Sequence, residues 1–284
     1  MSYSIQASTS PEAFRKKTFP YLLKDEAINC VPIGIINHLA DDPEPRWQKY
    51  YLNWLEKARK VVGTFTMTPP HPLILSPMPK DCLEAILKAS ASFADKPKGV
   101  LGLASLADLF AEGWLKQSNG SISSSMSQGI FQANHVITPR KANGNIVTAS
   151  DEHFEQLKSF YRRFIRDCGL AKENDTQITD RVRRNIVDGN LFVWLVDQTP
   201  VAMAGVQGKT PNGIRVGYVY TDDSHRGKGY ASNLVASITQ LMLHKGNKFC
   251  FLYTDLANPT SNSVYQAIGY QKVATSRFIL FSDD

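Results

Sequence analysis

The stretch "IRVGYVYT" (214–221), followed by "SHRGKGYAS" (224–232), limits the possible folds of this chain more than any other feature. A β-rich run ends, a short turn holds two glycines and two cations, and an apolar-periodic segment begins. In that segment Leu234, Ile238, Leu241 and Met242 fall on one side of a helix. Strand, glycine turn and helix in this order make an anion cradle. Glycines let successive N–H groups point into one concavity, and the helix adds the positive end of its dipole. Arg226 and Lys228 bring full charge, which suits a pyrophosphate better than a lone phosphate.

Three nucleotide-handling loops share this outline. A phosphate-binding NTPase loop needs GxxxxGK and then Ser or Thr to reach magnesium; here the spacing is wrong and no such hydroxyl follows Lys228. A dinucleotide-binding turn needs GxGxxG early in a βαβ unit; here Ser232 stands where the third glycine belongs, and several strands precede the turn. What remains is Arg226-Gly227-Lys228-Gly229-Tyr230-Ala231, an R-G-x-G-x-A pattern.

The flanking sequence has the same mixed α/β character. "TASDEHFEQLKSFYRRFIRDCGL" places Phe154, Leu157, Phe160, Tyr161, Phe164, Ile165 and Cys168 on one helical face, with Ser150 as N-cap and Gly169 as the stop. A second helix is expected over 176–188. "LFVWLVD" and "PVAMAGVQG" read as a hairpin, and "KFCFLYT" (248–254) as a strand buried on both faces. "NPTSNSVYQAIGY" gives a helix with Asn258 as N-cap, Pro259 at its first position and Gly269 as its end. Two short closing strands are expected at 271–275 and 277–282.

The polar, Pro- and Gly-bearing stretch "HVITPRKANGN" (135–145) reads as a linker and splits the chain into domains 1–138 and 139–284. The first half carries a faint copy of the second. "RKVVGTFTMTPPHPLILS" parallels the strand, Thr-Pro turn and strand of 199–221. "KDCLEAILKASASFA" and "KGVLGLASLADLFAEGW" follow in the places of the later helix and the strand–helix pair. Where the second half has its glycine turn, the first has "SPMPKD". Prolines have no N–H, and without glycines the loop cannot curl around an anion, so a single working cradle is expected.

The segment from about 145 to 282 resembles the GCN5-related N-acetyltransferase (GNAT) family. "RGKGYA" satisfies its [Q/R]-x-x-G-x-[G/A] signature, "VGYVYT" resembles its central strand, and "NPTSNSVYQAIGYQKV" its asparagine/tyrosine helix followed by Gly-aromatic. The first half looks like a degenerate member, as in tandem versions of the family. The resemblance implies a mixed, mostly antiparallel sheet flanked by helices, duplicated as two domains. It also implies acetyl-CoA as acyl donor, with no metal.

By the same resemblance, the backbone of Arg226, Gly227, Lys228, Gly229, Tyr230 and Ala231 holds the pyrophosphate, with Tyr230 and Ser232 at the helix mouth. Val219, Tyr220 and Thr221 align with the pantetheine arm, and one of their N–H groups polarises the thioester carbonyl. Asn258 and Asn262 lie near that arm, and Tyr265 is the general acid for the leaving thiolate, a phenol near 10 facing a thiol near 8.5. Bland readings stand beside these: Asn258 as only an N-cap, Tyr265 as a core tyrosine, His225 as a surface loop residue. No carboxylate lies in "GIRVGYVYT", so no general base is legible.

The implied partner is a small-molecule or peptide amine of unreadable identity. A non-catalytic acetyl-CoA sensor is the competing class. The net charge of +6 favours polyanions without choosing among them, and no Lys/Arg block or basic stripe with interleaved aromatics points to nucleic acid. No apolar run approaches the ~18 residues of a membrane span. Cys30, Cys82, Cys168 and Cys250 are scattered without metal-ligand spacing, which fits small apolar fillers in a reducing, cytoplasmic setting. A duplicated chain is compatible with a monomer and with a dimer.

Overall fold

The computed structural model describes residues 3–45, 47–118, 120–169 and 173–282. Its contacts separate two compact units, Met1–Ile130 with Val273–Asp284, and Phe131–Lys272. The cut falls between 130 and 131, whereas the linker composition had suggested 138/139, and the last strand goes to the first unit.

In the first unit β1 (Ser4–Ser8) precedes two helices, α1 (Pro11–Leu22) and α2 (Cys30–Asp41). Then come β2 (Tyr51–Lys57), β3 (Lys60–Met67), β4 (Leu73–Leu75), α3 (Leu83–Ala91), β5 (Gly99–Leu103), α4 (Ala104–Leu115) and β6 (Ser121–Ala133). The pairs β1/β2, β2/β3 and β3/β4 are antiparallel, and β4/β5 is parallel. Phe65, Met67, Val100 and Phe110 share one core, while Phe14, Ile33, Ile36 and Leu52 share another.

From Asn145 the chain repeats this order element for element. It holds β7 (Asn145–Thr148), α5 (Phe154–Asp167), α6 (Asp175–Val187), β8 (Leu191–Val196), β9 (Thr199–Gln207) and β10 (Gly213–Thr221). There follow α7 (Tyr230–His244), β11 (Phe249–Asp255), α8 (Pro259–Ala267) and β12 (Gln271–Ser282). Again the successive pairs are antiparallel up to β9/β10, and β10/β11 is parallel. Even the hairpins correspond: Ala58 and Arg59 between β2 and β3, and Asp197 and Gln198 between β8 and β9, all have positive φ. Left-handed residues at both positions of a two-residue turn match the twist of the strands. The duplication read from the sequence is therefore present in the topology.

The period of each element explains which face it buries. On β9, Ala202, Ala204 and Val206 face the core that also contains Leu234 and Ile238 of α7, whereas Met203 faces the core of Leu157 and Phe160 of α5. Leu234 and Ile238 are fully buried, worth about 2 kcal/mol each. Ser150 opens a 3-10 turn, Asp151–His153, ahead of α5, and its backbone N–H donates to His153 Nδ1 at 3.1 Å.

Three expectations are corrected. The closing segment is one continuous strand, β12, with buried Ser276 where a break was expected; its residues Ser276–Leu280 pair antiparallel with β5. β2 was missed, and β7 starts within the stretch read as linker. Cys168 is exposed, unlike the three buried cysteines, so it is not a core filler.

Candidate functional site

The second unit's chemistry gathers where β10 and β11 part. Their parallel pairing runs only from Gly213↔Phe249 to Arg215↔Phe251, although β10 continues to Thr221. On its other edge β10 carries a bulge: Gly217 pairs with Gly205 and Tyr220 with Met203, so Tyr218 and Val219 both oppose Ala204. Tyr218 takes φ 56° to accommodate it, a conformation a bulky residue adopts only when its surroundings enforce it. Its hydroxyl bonds Gln207 Oε1 at 2.8 Å, and its ring packs on Tyr161 and Phe164. The splay leaves the last turn of β10 without a strand neighbour on the β11 side.

A cavity of about 900 Å³ fills this opening. Val219, Tyr220 and Thr221 of β10 form one wall, and Asn258, Thr260, Ser261, Val264 and Tyr265 of α8 form another. Its floor is the glycine turn, with Arg226, Gly227, Gly229, Tyr230, Ala231 and Ser232, and the end of α5 closes it with Phe164, Arg166, Asp167 and Cys168.

The turn has the form its residues predict. Asp222 anchors it, accepting from Ser224 N at 3.3 Å, Ser224 Oγ at 2.5 Å and Arg163 Nη1 at 3.1 Å, with His225 Nδ1 at 3.2 Å. The Ser224 hydroxyl leads these contacts in holding Asp222 below the usual carboxylate range. Gly227 and Gly229 then take φ 77° and 83°, the left-handed region that a side chain disfavours, and Gly229 is the residue that opens α7. Among the described residues, no acceptor within the chain takes the amides of 226–232. Tyr230 contributes its amide to this run while its ring lies in the core.

The charge at the turn differs from expectation. Arg226 Nη2 bonds Asp167 Oδ2 and Asp223 Oδ1, each at 2.8 Å, and its Nε bonds the Thr221 carbonyl at 3.2 Å. Its positive charge is thus already shared by two carboxylates. Burial acts to raise Asp167, but Arg166 and Arg226 outweigh it and hold that carboxyl low. Lys228 is exposed and is not among the residues that line the cavity.

On α8, Asn258 caps the helix by accepting from Ser261 N at 3.0 Å, and it also borders the cavity. Asn262 is absent from the wall: its Nδ2 donates to the carbonyls of Asp255 (3.3 Å) and Leu256 (3.4 Å) and ties down the loop before the helix. Tyr265 is 8% exposed and reaches the cavity, and among the described residues its hydroxyl has no hydrogen-bond partner. Burial, and then the nearby Cys168 thiol, push its pKa up rather than toward that of a thiol. Thr221 Oγ1 is a further buried atom without a partner in this wall. His225, expected as a plain surface residue, is half-buried and borders the cavity.

Sequence reasoning missed Phe164 and Cys168 as wall residues because the helical period assigned them to the core face, and Asp167 because no local pattern marks it. The corresponding first-unit loop shows the opposite design. No residue of it takes positive φ, the Tyr21 hydroxyl donates to the Pro77 carbonyl, and Met78 packs against Gly63.

Residues 193–279 match the family model described as FR47-like protein. Similar solved structures include a GNAT-family acetyltransferase from Colwellia psychrerythraea, at 14% identity over 98% of this chain and 99% of that one, with TM-score 0.60. A Drosophila protein matches at 12% identity over 98% of each chain, with TM-score 0.68. A tandem GNAT protein from the clavulanic acid biosynthesis pathway matches at 11% identity over 99% of this chain and 98% of that one, with TM-score 0.51. No curated protein matches the sequence. The fold these likenesses show is the GNAT fold, and one of the similar structures is itself described as a tandem GNAT protein.

Proposed function

We propose that the second unit binds acetyl-CoA and transfers its acetyl group to an amine of a small molecule or peptide. One observation carries this reading: a run of unclaimed amides at a left-handed glycine turn shares a cavity with the unclaimed hydroxyl of Tyr265. The residues fit the donor. Successive N–H groups at a helix N-terminus suit a pyrophosphate. The unpaired last turn of β10 suits the amides of an extended arm, as an edge strand suits an added strand.

Acetyl-CoA supplies an acyl group activated on a thiol leaving group. Amides of 226–232 would hold its diphosphate, with Arg226 already fixed beside them by Asp167 and Asp223. Backbone N–H groups at the β10 bulge, around Val219, would stabilise negative charge on the acyl oxygen. Tyr265, kept protonated by burial, would donate a hydrogen bond to the sulfur of the leaving thiol. With its pKa raised, the hydrogen bond itself counts for more than complete proton transfer. Asp167 and Asp223, the two carboxylates of the wall, are both engaged by Arg226, so the amine arrives neutral or yields its proton to water. Alignment of both reactants in one cavity supplies much of the acceleration.

The test is release of free thiol from acetyl-CoA on adding a panel of amines, with mass spectrometry of the acetylated product. Release with a matching product supports transfer. Binding without release across the panel favours a sensor.

A further inference from the structure

Cys168 stands apart from the other cysteines. Cys30, Cys82 and Cys250 are buried, whereas Cys168 caps the C-terminus of α5, is exposed and borders the cavity. Tyr265 lines the same cavity, is more than nine-tenths buried, and its hydroxyl has no hydrogen-bond partner among the described residues. The two groups are close enough for the thiol to perturb the phenol. A cysteine and a tyrosine with an unclaimed hydroxyl therefore line one cavity.

We propose that Cys168 is an acyl-acceptor site: when no amine is present, its sulfur takes the acetyl group from bound acetyl-CoA. This rests on the acetyl-CoA reading above. Cys168 loses its proton to water, and its thiolate attacks the acyl carbon. A new C–S bond forms to Cys168, the C–S bond to coenzyme A breaks, and the departing thiolate takes up a proton. One thioester is exchanged for another, with no oxidant or reductant. The acetyl on Cys168 then passes to an amine or to water.

The surroundings of Cys168 set the direction and rate of this exchange. Enclosure by the cavity, then the carboxylates of Asp167 and Asp255, raise its pKa. A more basic thiol holds an acyl group more firmly against coenzyme A, while its small thiolate fraction at neutral pH makes capture slow and dependent on alkaline pH. Confinement beside the bound donor offsets that slowness through a high effective concentration.

The experiment incubates the full chain with acetyl-CoA alone, measures retained donor by equilibrium dialysis, and maps acetyl groups on peptides kept at acidic pH. The proposal predicts one hydroxylamine-labile acetyl group on Cys168, forming on the order of 10²-fold faster than on a free cysteine peptide. Labelling should saturate with acetyl-CoA, rise with pH, be suppressed by excess coenzyme A, and vanish in Cys168→Ser. Donor retained without acetyl on Cys168 overturns this inference and leaves the cofactor reading standing. Labelling that neither saturates nor yields to coenzyme A also overturns it, as adventitious chemistry. No donor retained overturns both.

Discussion

Arg226 Nη2 lies 2.8 Å from Asp167 Oδ2, joining the glycine turn to the end of α5. Asp167 thus places a negative charge beside a proposed anion site while Arg226 offsets it. Asp167→Asn should tighten acetyl-CoA binding a few-fold, and Arg226→Ala should weaken it by about tenfold, roughly 1.4 kcal/mol. Both side chains are partly exposed and Arg226 keeps Asp223, so the stability change in Asp167→Asn should stay within about 1 kcal/mol. Calorimetric titration and thermal melting read the two effects separately. Equal affinities in all three proteins would contradict the electrostatic account.

The turn itself depends on backbone freedom. Gly227→Ala and Gly229→Ala each place a Cβ on a residue with φ near 80°, at a cost of about 1–2 kcal/mol. Gly227 has open space for the added atom, so its strain is conformational alone. Both variants should fold and bind acetyl-CoA about tenfold more weakly or worse. Unaltered affinity in both would show that the amides do not hold the ligand.

Tyr265→Phe removes only the unclaimed hydroxyl. Turnover should fall by about 10²-fold, within the range for loss of a positioned acid, while acetyl-CoA affinity stays nearly constant. Steady-state kinetics with direct binding separates the two. Parental turnover would end the assignment of Tyr265.

Acidification should loosen the turn. Asp222 is held low by the Ser224 hydroxyl first and by His225 and Arg163 as well, so its folded pKa lies below its unfolded one near 3.9. Its contribution to stability is fully present above the unfolded value and is lost as pH falls through the folded value. Asp222→Asn should be less stable than the parent at neutral pH, and the gap should narrow on acidification below about pH 4. Acid titrations followed by circular dichroism check this; a gap that widens toward low pH would contradict it.

Cutting the chain at 138/139 should fail. Phe131 and Ala133 of β6 belong to the core of the second unit, and β12 pairs with β5 of the first. A fragment 139–284 lacks Phe131 and Ala133 and leaves β12 without β5. It should melt at lower temperature than the full chain or aggregate. A fragment as stable as the full chain would show that those contacts contribute little.

Much of this was legible from local patterning. The helices α5, α7 and α8 follow from apolar spacing and from Ser150, Asn258 and Gly269, because caps and periodicity are properties of neighbours in sequence. The glycine turn was legible for the same reason. The destination of β12 was not, since pairing with β5 is a long-range choice that leaves no local mark. Arg226 showed its charge in the sequence but not its partner, because Asp167 lies on another element. Cys168 completed a helical period yet sits where α5 ends, so the same spacing that predicts burial hid a cavity residue. The reversal at Tyr265 is similar: the sequence supplies a phenol, and only the fold buries it and lifts its pKa.

The most direct test follows the amide resonances of residues 226–232 while acetyl-CoA is titrated into the labelled chain. Saturable downfield shifts at these amides, absent with acetylated pantetheine that lacks the diphosphate, are the predicted result. Failure to bind, or binding that leaves these resonances unmoved, would contradict the account.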